Sequence, residues 1–339
     1  MKALVFKGKR QLTWCDWNDP VPGPGEALIA VRAVGICGSD IHGFTGESGR
    51  RIPPMIMGHE AAGEIIKLGP GVSTDWLGVK AVINPILNCG ECQQCQLGYT
   101  HRCLKRRFIG GNIDGAMAER IAIPVKNLHF LPEGLGYKKA TLTEPYAVGL
   151  HAANIAGDLK GKTVLVVGCG PIGLLTLVAA KGAGAKLALA TDIQAYRRVL
   201  AEQFGAEAVL DPTTDEIPRS IHEIMNLDGV DIAFDAVGIQ KTFDQALNSL
   251  KQGGILVALG GWQTLKLNFS SLVTFELSLR GTFNYGNEFE QALHLLGEDV
   301  YGLEQIITHS FPLSEGAQVF DWLMQQEFGV GKVILTGED

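Results

Sequence analysis

Thr163-Val-Leu-Val-Val167-Gly168-Cys169-Gly170-Pro171-Ile172-Gly173, running on into Leu-Leu-Thr-Leu-Val-Ala-Ala180, is the stretch on which the fold turns. Thr163 to Val167 is a short apolar run of the fully buried strand type, and G-x-G-x-x-G follows it at once, ahead of a helix-forming segment. That is where a dinucleotide-binding turn must stand. Gly168 permits the tight turn, Gly170 lets the backbone approach a pyrophosphate, and Gly173 allows the helix to pack closely on the strand. The helix N-terminus then faces the phosphates. A Gly-rich hexapeptide alone is also an ordinary turn, so the flanking segments carry the weight.

Working outward, Lys186-Leu-Ala-Leu-Ala-Thr191 reads as the second strand and closes at Asp192, nineteen residues past Gly173. An acid there accepts both ribose hydroxyls of NAD and repels the added phosphate of NADP. Arg197 and Arg198 follow, either as a helix surface or as guanidinium groups able to hold that phosphate. Buried-strand runs recur at Val230–Gly238, Gly254–Gly261 and Leu277–Phe283, with a helical stretch from Thr242 to Leu250. Strands alternating with helices imply an α/β, doubly wound parallel sheet, with the nicotinamide at the strand C-terminal ends. The apolar Gly254–Phe283 region suits either core or an oligomer edge.

The chain before this unit has a different grain. Residues 1 to 33 alternate apolar and polar positions around the break Pro20-Val-Pro-Gly-Pro-Gly25, and short β patterns continue through Ala61–Gly69 and Val79–Ile83. These predict a compact β-barrel-type module. Inside it lie Gly35-Ile36-Cys37-Gly38-Ser39-Asp40-Ile41-His42 and Gly58-His59-Glu60. A thiolate, an imidazole and a carboxylate are the donors that hold a four-coordinate Zn²⁺ with one position open. Ser39 and His42 are placed to carry a proton away from a bound alcohol, or are a turn hydroxyl and a surface imidazole.

Cys89-x2-Cys92-x2-Cys95-x7-Cys103 is the most specific signal in the chain. Four thiolates so close fill the shell of one structural Zn²⁺. The rival is an iron–sulfur cluster, whose bacterial ferredoxin run ends in Cys-Pro; here Leu104 follows, then Lys105-Arg106-Arg107, a solvated face or a counter-charge to a Zn(Cys)₄ centre. Glu144, just before Pro145, is a second carboxylate of note or simply a helix N-terminal acid favoured by the macrodipole.

The 339 residues are 46% hydrophobic and 19% charged with a formal charge of -7, which offers no electrostatic basis for holding nucleic acid. No apolar run spans a bilayer, and Met1-Lys-Ala-Leu-Val-Phe-Lys7 lacks a signal-peptide pattern. The expectation is a cytoplasmic protein with reduced thiols and no membrane partner.

The Cys37–His42 run, Gly58-His59-Glu60, the four cysteines and the glycine turn together resemble the zinc-dependent medium-chain dehydrogenase/reductase superfamily, in its polyol (sorbitol-like) dehydrogenase branch. The likeness covers nearly the whole chain. It implies a GroES-like catalytic domain at 1–147 and 287–339, with the Rossmann domain inserted at 148–286. It further implies two Zn²⁺ per chain, one catalytic and one structural, together with NAD. The resemblance makes Glu144 a rival of Glu60 for the third catalytic ligand beside Cys37 and His59. It sets Ile172, Asp192 and Arg197 at the NAD site and Phe283, Asn284 and Tyr285 at the substrate. The expected activity is hydride transfer from a secondary alcohol of a polyol, sugar acid or related sugar derivative. Asn284 stands where sorbitol dehydrogenases carry Arg, and Gly43 where they carry an aromatic. A vicinal-diol or threonine-type dehydrogenase is the alternative substrate class, a zinc-free enone reductase a second enzyme class, and a dinucleotide-binding structural protein the non-enzyme one. Arg50 and Arg51 are either an anion site or surface charges. The family implies a homo-oligomer, dimer or tetramer.

Overall fold

The computed structural model describes residues 1–226, 228–261, 263–325 and 329–337. It divides into two compact units, Met1–Glu144 with Phe289–Asp339, and Pro145–Glu288.

The first unit is organised on the long strand Glu26–Ile36, whose mostly buried residues (Ala27, Ile29, Val31, Val34) face a continuous apolar cluster. It pairs antiparallel with Glu60–Leu68, with Arg120–Pro124 and with the returning strand Lys332–Thr336, inside a seven-stranded sheet. A three-stranded sheet of Gln11–Asp16, Lys2–Gly8 and Met55–Ile56 lies in the same unit. The registers decide what meets at the end of the central strand. Gly35 lies opposite Glu60 on one side, and Ile36 opposite Val333 on the other. Cys37, Glu60 and Lys332 are therefore brought together by sheet pairing, although they are far apart in the chain. Glycine at 35 leaves room for the Glu60 carboxylate in its present place, since a Cβ would sit 2.1 Å from Glu60 Oε2.

The second unit is a six-stranded, all-parallel sheet with the spatial order Ala208–Leu210, Leu187–Thr191, Thr163–Val167, Val230–Asp235, Leu250–Ala258, Ser278–Gly281. Thr163–Val167 is wholly buried, which is why the sequence there is a continuous apolar run. Chain order reverses between this strand and Val230–Asp235, creating the switch point at which such sheets bind ligands. One expectation is corrected: the Leu277–Phe283 run is not a buried strand. Ser278–Gly281 is the outer strand of the sheet, and all four of its residues are exposed.

Within this unit Glu288 Oε1 accepts from His151 Nδ1 and from Asn154 Nδ2, both at 2.9 Å, and Oε2 accepts from Gly286 N. Burial alone would raise the Glu288 pKa, but these hydrogen bonds and the His151 charge lower it from the usual 4.5 to about 2. A carboxylate depressed in the folded state adds stability that is complete above pH 4.5 and lost as pH falls through about 2. The stability gap between wild type and Glu288→Gln, read by urea unfolding, is expected to shrink as pH falls from 4.5 towards 2. A gap independent of pH would contradict this assignment.

Candidate metal centres and dinucleotide site

Cys37 leaves the central strand and caps the helix Gly38–Phe44, with its own N–H donating to Asp40 Oδ2 at 3.0 Å. His59 and Glu60 follow Gly58, whose φ of +90° suits glycine, and both are buried. One donor atom each from Cys37, His59 and Glu60 lies within 4.8 Å of the others. His59 Nδ1 is buried without a hydrogen-bond partner and lies 3.6 Å from Asp40 Oδ1. Burial would lower the His59 pKa, but the Asp40 charge, with Cys37 behind it, holds it well above the usual 6.5. A buried imidazole, a cysteine and a carboxylate with donor atoms within 4.8 Å of one another fit a divalent cation better than they fit one another.

Two carboxylates compete here and differ in what surrounds them. Glu60 accepts from Lys332 Nζ at 2.7 and 2.8 Å through its two oxygens, and both side chains are buried. Glu144, in the first turn of the helix Thr143–Ala156, is buried with no ion-pair partner among the described residues. Burial, reinforced by the Glu60 charge and opposed by His59, lifts its pKa to about 7. Sequence reasoning gave no role to Lys332, which looks like the polar start of an apolar strand, or to Asp40, although a carboxylate three residues after a cap is a known N-terminal pattern. Of the relay pair, Ser39 and His42 share one helix face at a spacing of three. His42 is part-exposed, with Nδ1 2.7 Å from Glu47 Oε2.

The four cysteines form a second cluster. Sulfur–sulfur distances are 3.5 Å for Cys92–Cys95 and Cys89–Cys103 and 4.0 Å for Cys89–Cys95, and all seven cysteines of the chain are free. A tetrahedral site with Zn–S near 2.3 Å has sulfur–sulfur edges of about 3.8 Å, and a disulfide is far shorter. Backbone N–H groups of Cys95 and Leu104 pull the Cys92 thiol down to about 6, while burial and the neighbouring thiols push Cys95 up to about 12. Of the basic run, Lys105 pairs with Glu91 at 2.6 Å and Arg106 donates to the His101 carbonyl.

In the second unit Gly168 takes φ +89°, and a Cβ on Gly173 would lie 1.8 Å from Gly168 O, so both glycines are demanded by the turn. Gly170 caps the helix Pro171–Gly182 without a side-chain capping hydrogen bond, and Ile172 is half-buried beside it. Asp192 Oδ2 accepts from Cys169 N at 2.8 Å and Oδ1 from Gln194 N at 2.7 Å. Each oxygen keeps a lone pair for a ribose hydroxyl. Arg197 Nη1 lies 3.8 Å from Asp192 Oδ2, and Arg198 is engaged by Asp211 Oδ2 and the Asp192 carbonyl. Phe283 is exposed, Tyr285 is buried, and Asn284 takes φ +54°. Asparagine is among the residues that tolerate that conformation.

An incomplete metal shell and a dinucleotide turn in one chain define a metal-assisted, nicotinamide-linked alcohol dehydrogenase. The comparisons agree. Residues 23–133 match the alcohol dehydrogenase GroES-like domain, and residues 171–298 match the zinc-binding dehydrogenase domain. The chain is 31% identical to sorbitol dehydrogenase of Bacillus subtilis (strain 168), over 96% of this chain and 94% of that one. It is also 31% identical to L-galactonate-5-dehydrogenase of Escherichia coli (strain K12), over 95% and 94%. A zinc-binding dehydrogenase from Sinorhizobium meliloti 1021, solved with NADP, superposes with a TM-score of 0.92 at 30% identity, covering 99% of this chain and 98% of that one. The chain belongs to the zinc-dependent medium-chain dehydrogenase/reductase superfamily, in its polyol branch, and is an NAD(P)-dependent oxidoreductase acting on CH–OH. No helix among the described residues is long and apolar enough to cross a membrane.

Proposed function

We propose that this enzyme oxidises a secondary alcohol of a polyol, sugar acid or related sugar derivative, with NAD as hydride acceptor. The observation that carries the reading is the convergence of Cys37, His59 and Glu60, with a second buried carboxylate, Glu144, close enough to feel the charges of His59 and Glu60. When bound, Zn²⁺ supplies Lewis acidity that favours the deprotonated form of an oxygen ligand, and NAD supplies the hydride acceptor. Cys37, His59 and Glu144 would hold the ion. Charge balance supports Glu144: Glu60 is neutralised by Lys332 and Asp40 by Arg51, which leaves the Cys37 thiolate and Glu144 to match two positive charges. Ser39 accepts the alcohol proton and His42, part-exposed on the same helix face, passes it to solvent.

Glu144→Gln is expected to weaken zinc binding at this site by on the order of 10³-fold, while Glu60→Gln costs about 10–100-fold, the range for a residue outside the ligand shell. Chelator competition measures both, and the reverse ranking would make Glu60 the ligand.

Asp192 supports NAD over NADP, because its carboxylate sits where an added phosphate would meet like charge. Arg198 is engaged by Asp211 and by the Asp192 carbonyl. Arg51 is not an anion site, since it is buried against Asp40. The exposed edge strand Ser278–Gly281, with Phe269 and Val273 also exposed beside it in sequence, supports pairing with a second copy. Seven free cysteines accord with a reducing, cytoplasmic setting.

The test is NADH or NADPH formation with a panel of polyols, sugar acids, vicinal diols and threonine. Highest kcat/KM on a polyol or sugar acid, with NAD favoured by about 10²-fold for a like-charge clash, is the expected result. Preference for a diol or threonine would move the substrate class, and reduction of enones alone would overturn the reading.

A further inference from the structure

Arg51 reads in the sequence as one of two adjacent loop arginines, yet its side chain is 5% exposed. It donates from Nη2 to Asp40 Oδ1 at 2.6 Å, from Nη1 to Ser39 O at 2.6 Å and from Nε to Gly110 O at 3.0 Å, with Ser39 Oγ at 3.4 Å. The slot it fills exists because residue 43 is glycine. A Cβ on Gly43 would lie 2.4 Å from Arg51 Cδ, 2.9 Å from Nη1 and 3.0 Å from Nε. These are the far atoms of a flexible side chain, so any larger residue at 43 evicts the guanidinium rather than deforming the backbone.

The partner of Arg51 gives this contact its meaning. Asp40 is fully buried; its Oδ2 accepts from the Cys37 backbone N–H at 3.0 Å, and its Oδ1, the atom Arg51 holds, lies 3.6 Å from His59 Nδ1. One carboxylate thus touches the backbone of Cys37 and faces the ring of His59. Without the guanidinium it would be a buried charge lacking a cation, drawn off its present position.

We propose that Arg51, admitted by Gly43, is a positioning residue: it clamps Asp40 and the first turn of the helix Gly38–Phe44 so that Cys37 and His59 present a preformed site to Zn²⁺. The inference rests on the reading that Cys37 and His59 hold zinc. Arg51 touches neither ligand and acts on both through Asp40 and the helix start.

The experiment compares wild type, Arg51→Met, Arg51→Lys, Gly43→Ala and the double variant Gly43→Ala/Arg51→Met. Three quantities are read: zinc affinity of the Cys37 site by chelator competition, the d–d absorption of Co²⁺ placed in that site, and NAD affinity by fluorescence. Arg51→Met is expected to weaken metal binding by about 10–100-fold, as loss of an outer-shell partner does, and to alter the Co²⁺ spectrum. Gly43→Ala reproduces both changes, the double variant is no worse than Arg51→Met because one clamp is lost once, and Arg51→Lys recovers part of the affinity. NAD affinity and occupancy of the four-cysteine cluster stay unchanged in all. Wild-type affinity and spectrum in Arg51→Met, or additive losses in the double variant, would overturn the inference while leaving the site reading intact. A wild type that takes up no ion at Cys37 and His59 would bring down the site reading, and this inference with it.

Discussion

Cys37→Ser is expected to lower kcat by on the order of 10⁴-fold, about 5.4 kcal/mol at 1.36 kcal/mol per decade, with NAD binding unchanged. The size of the effect follows from the charge balance of the site. A hydroxyl at residue 37 stays neutral, so Glu144 would be left as the only unpaired anion facing two positive charges, and the soft donor Zn²⁺ favours is gone. Misfolding does not account for the loss. Cys37 is the N-cap of the helix Gly38–Phe44, serine is a preferred residue at that position, and the Cys37 N–H to Asp40 bond uses only backbone at residue 37. Metal analysis should find one zinc per chain in place of two, with an unchanged circular dichroism spectrum. An active Cys37→Ser enzyme that binds no ion at this site would remove the basis of the mechanism.

The second large effect concerns stability rather than turnover. Between Cys89 and Cys103 only His101 and Cys103 are buried, and Leu97 and Tyr99 are exposed, as is Leu104 just beyond. A lobe with so little apolar burial needs a metal to hold it, as small metal-dependent domains do. Cys95→Ser is expected to release one zinc per chain, to abolish amide protection across the lobe, and to lower Tm by about 6–12 °C, from ~3 kcal/mol at roughly 2–4 °C per kcal/mol. Cys15→Ala, which removes a half-buried strand cysteine outside the cluster, is the control and should keep two zinc ions. Hydrogen exchange with metal analysis checks both, and a fully protected lobe in zinc-free Cys95→Ser would mean that packing alone holds it.

How much of this was legible in the chain depends on the range over which each feature is specified. The glycine turn and the four-cysteine run are local, so their spacing alone placed them on a strand–helix junction and in one cluster. The place of Asp192 beside the turn was legible for the same reason, since its position is counted from it. The gathering of Cys37, His59 and Glu60 was readable only as a set of suitable donors, because their meeting depends on the pairing of Gly35 with Glu60. Lys332 could not be read at all. It enters through the register of a strand that returns from the far end of the chain, and an isolated lysine before an apolar run carries no signal of burial. Arg51 reads in the sequence as an anion site or a surface charge and is instead buried, because the space that admits it is created by an absent side chain at Gly43. The Leu277–Phe283 run failed differently: apolar content marks a strand but does not say whether the sheet continues beyond it, and here Ser278–Gly281 is the edge.

The central claim is that an ion is held by Cys37, His59 and a buried carboxylate, separately from the one among the four cysteines. Anomalous diffraction from crystals of the protein, collected on either side of the zinc absorption edge, tests it most directly. The account predicts two peaks per chain, one within bonding distance of Cys37 Sγ, His59 and Glu144, the other among Cys89, Cys92, Cys95 and Cys103. A single peak at the four cysteines, with Cys37 and His59 bare in a catalytically active preparation, would contradict it.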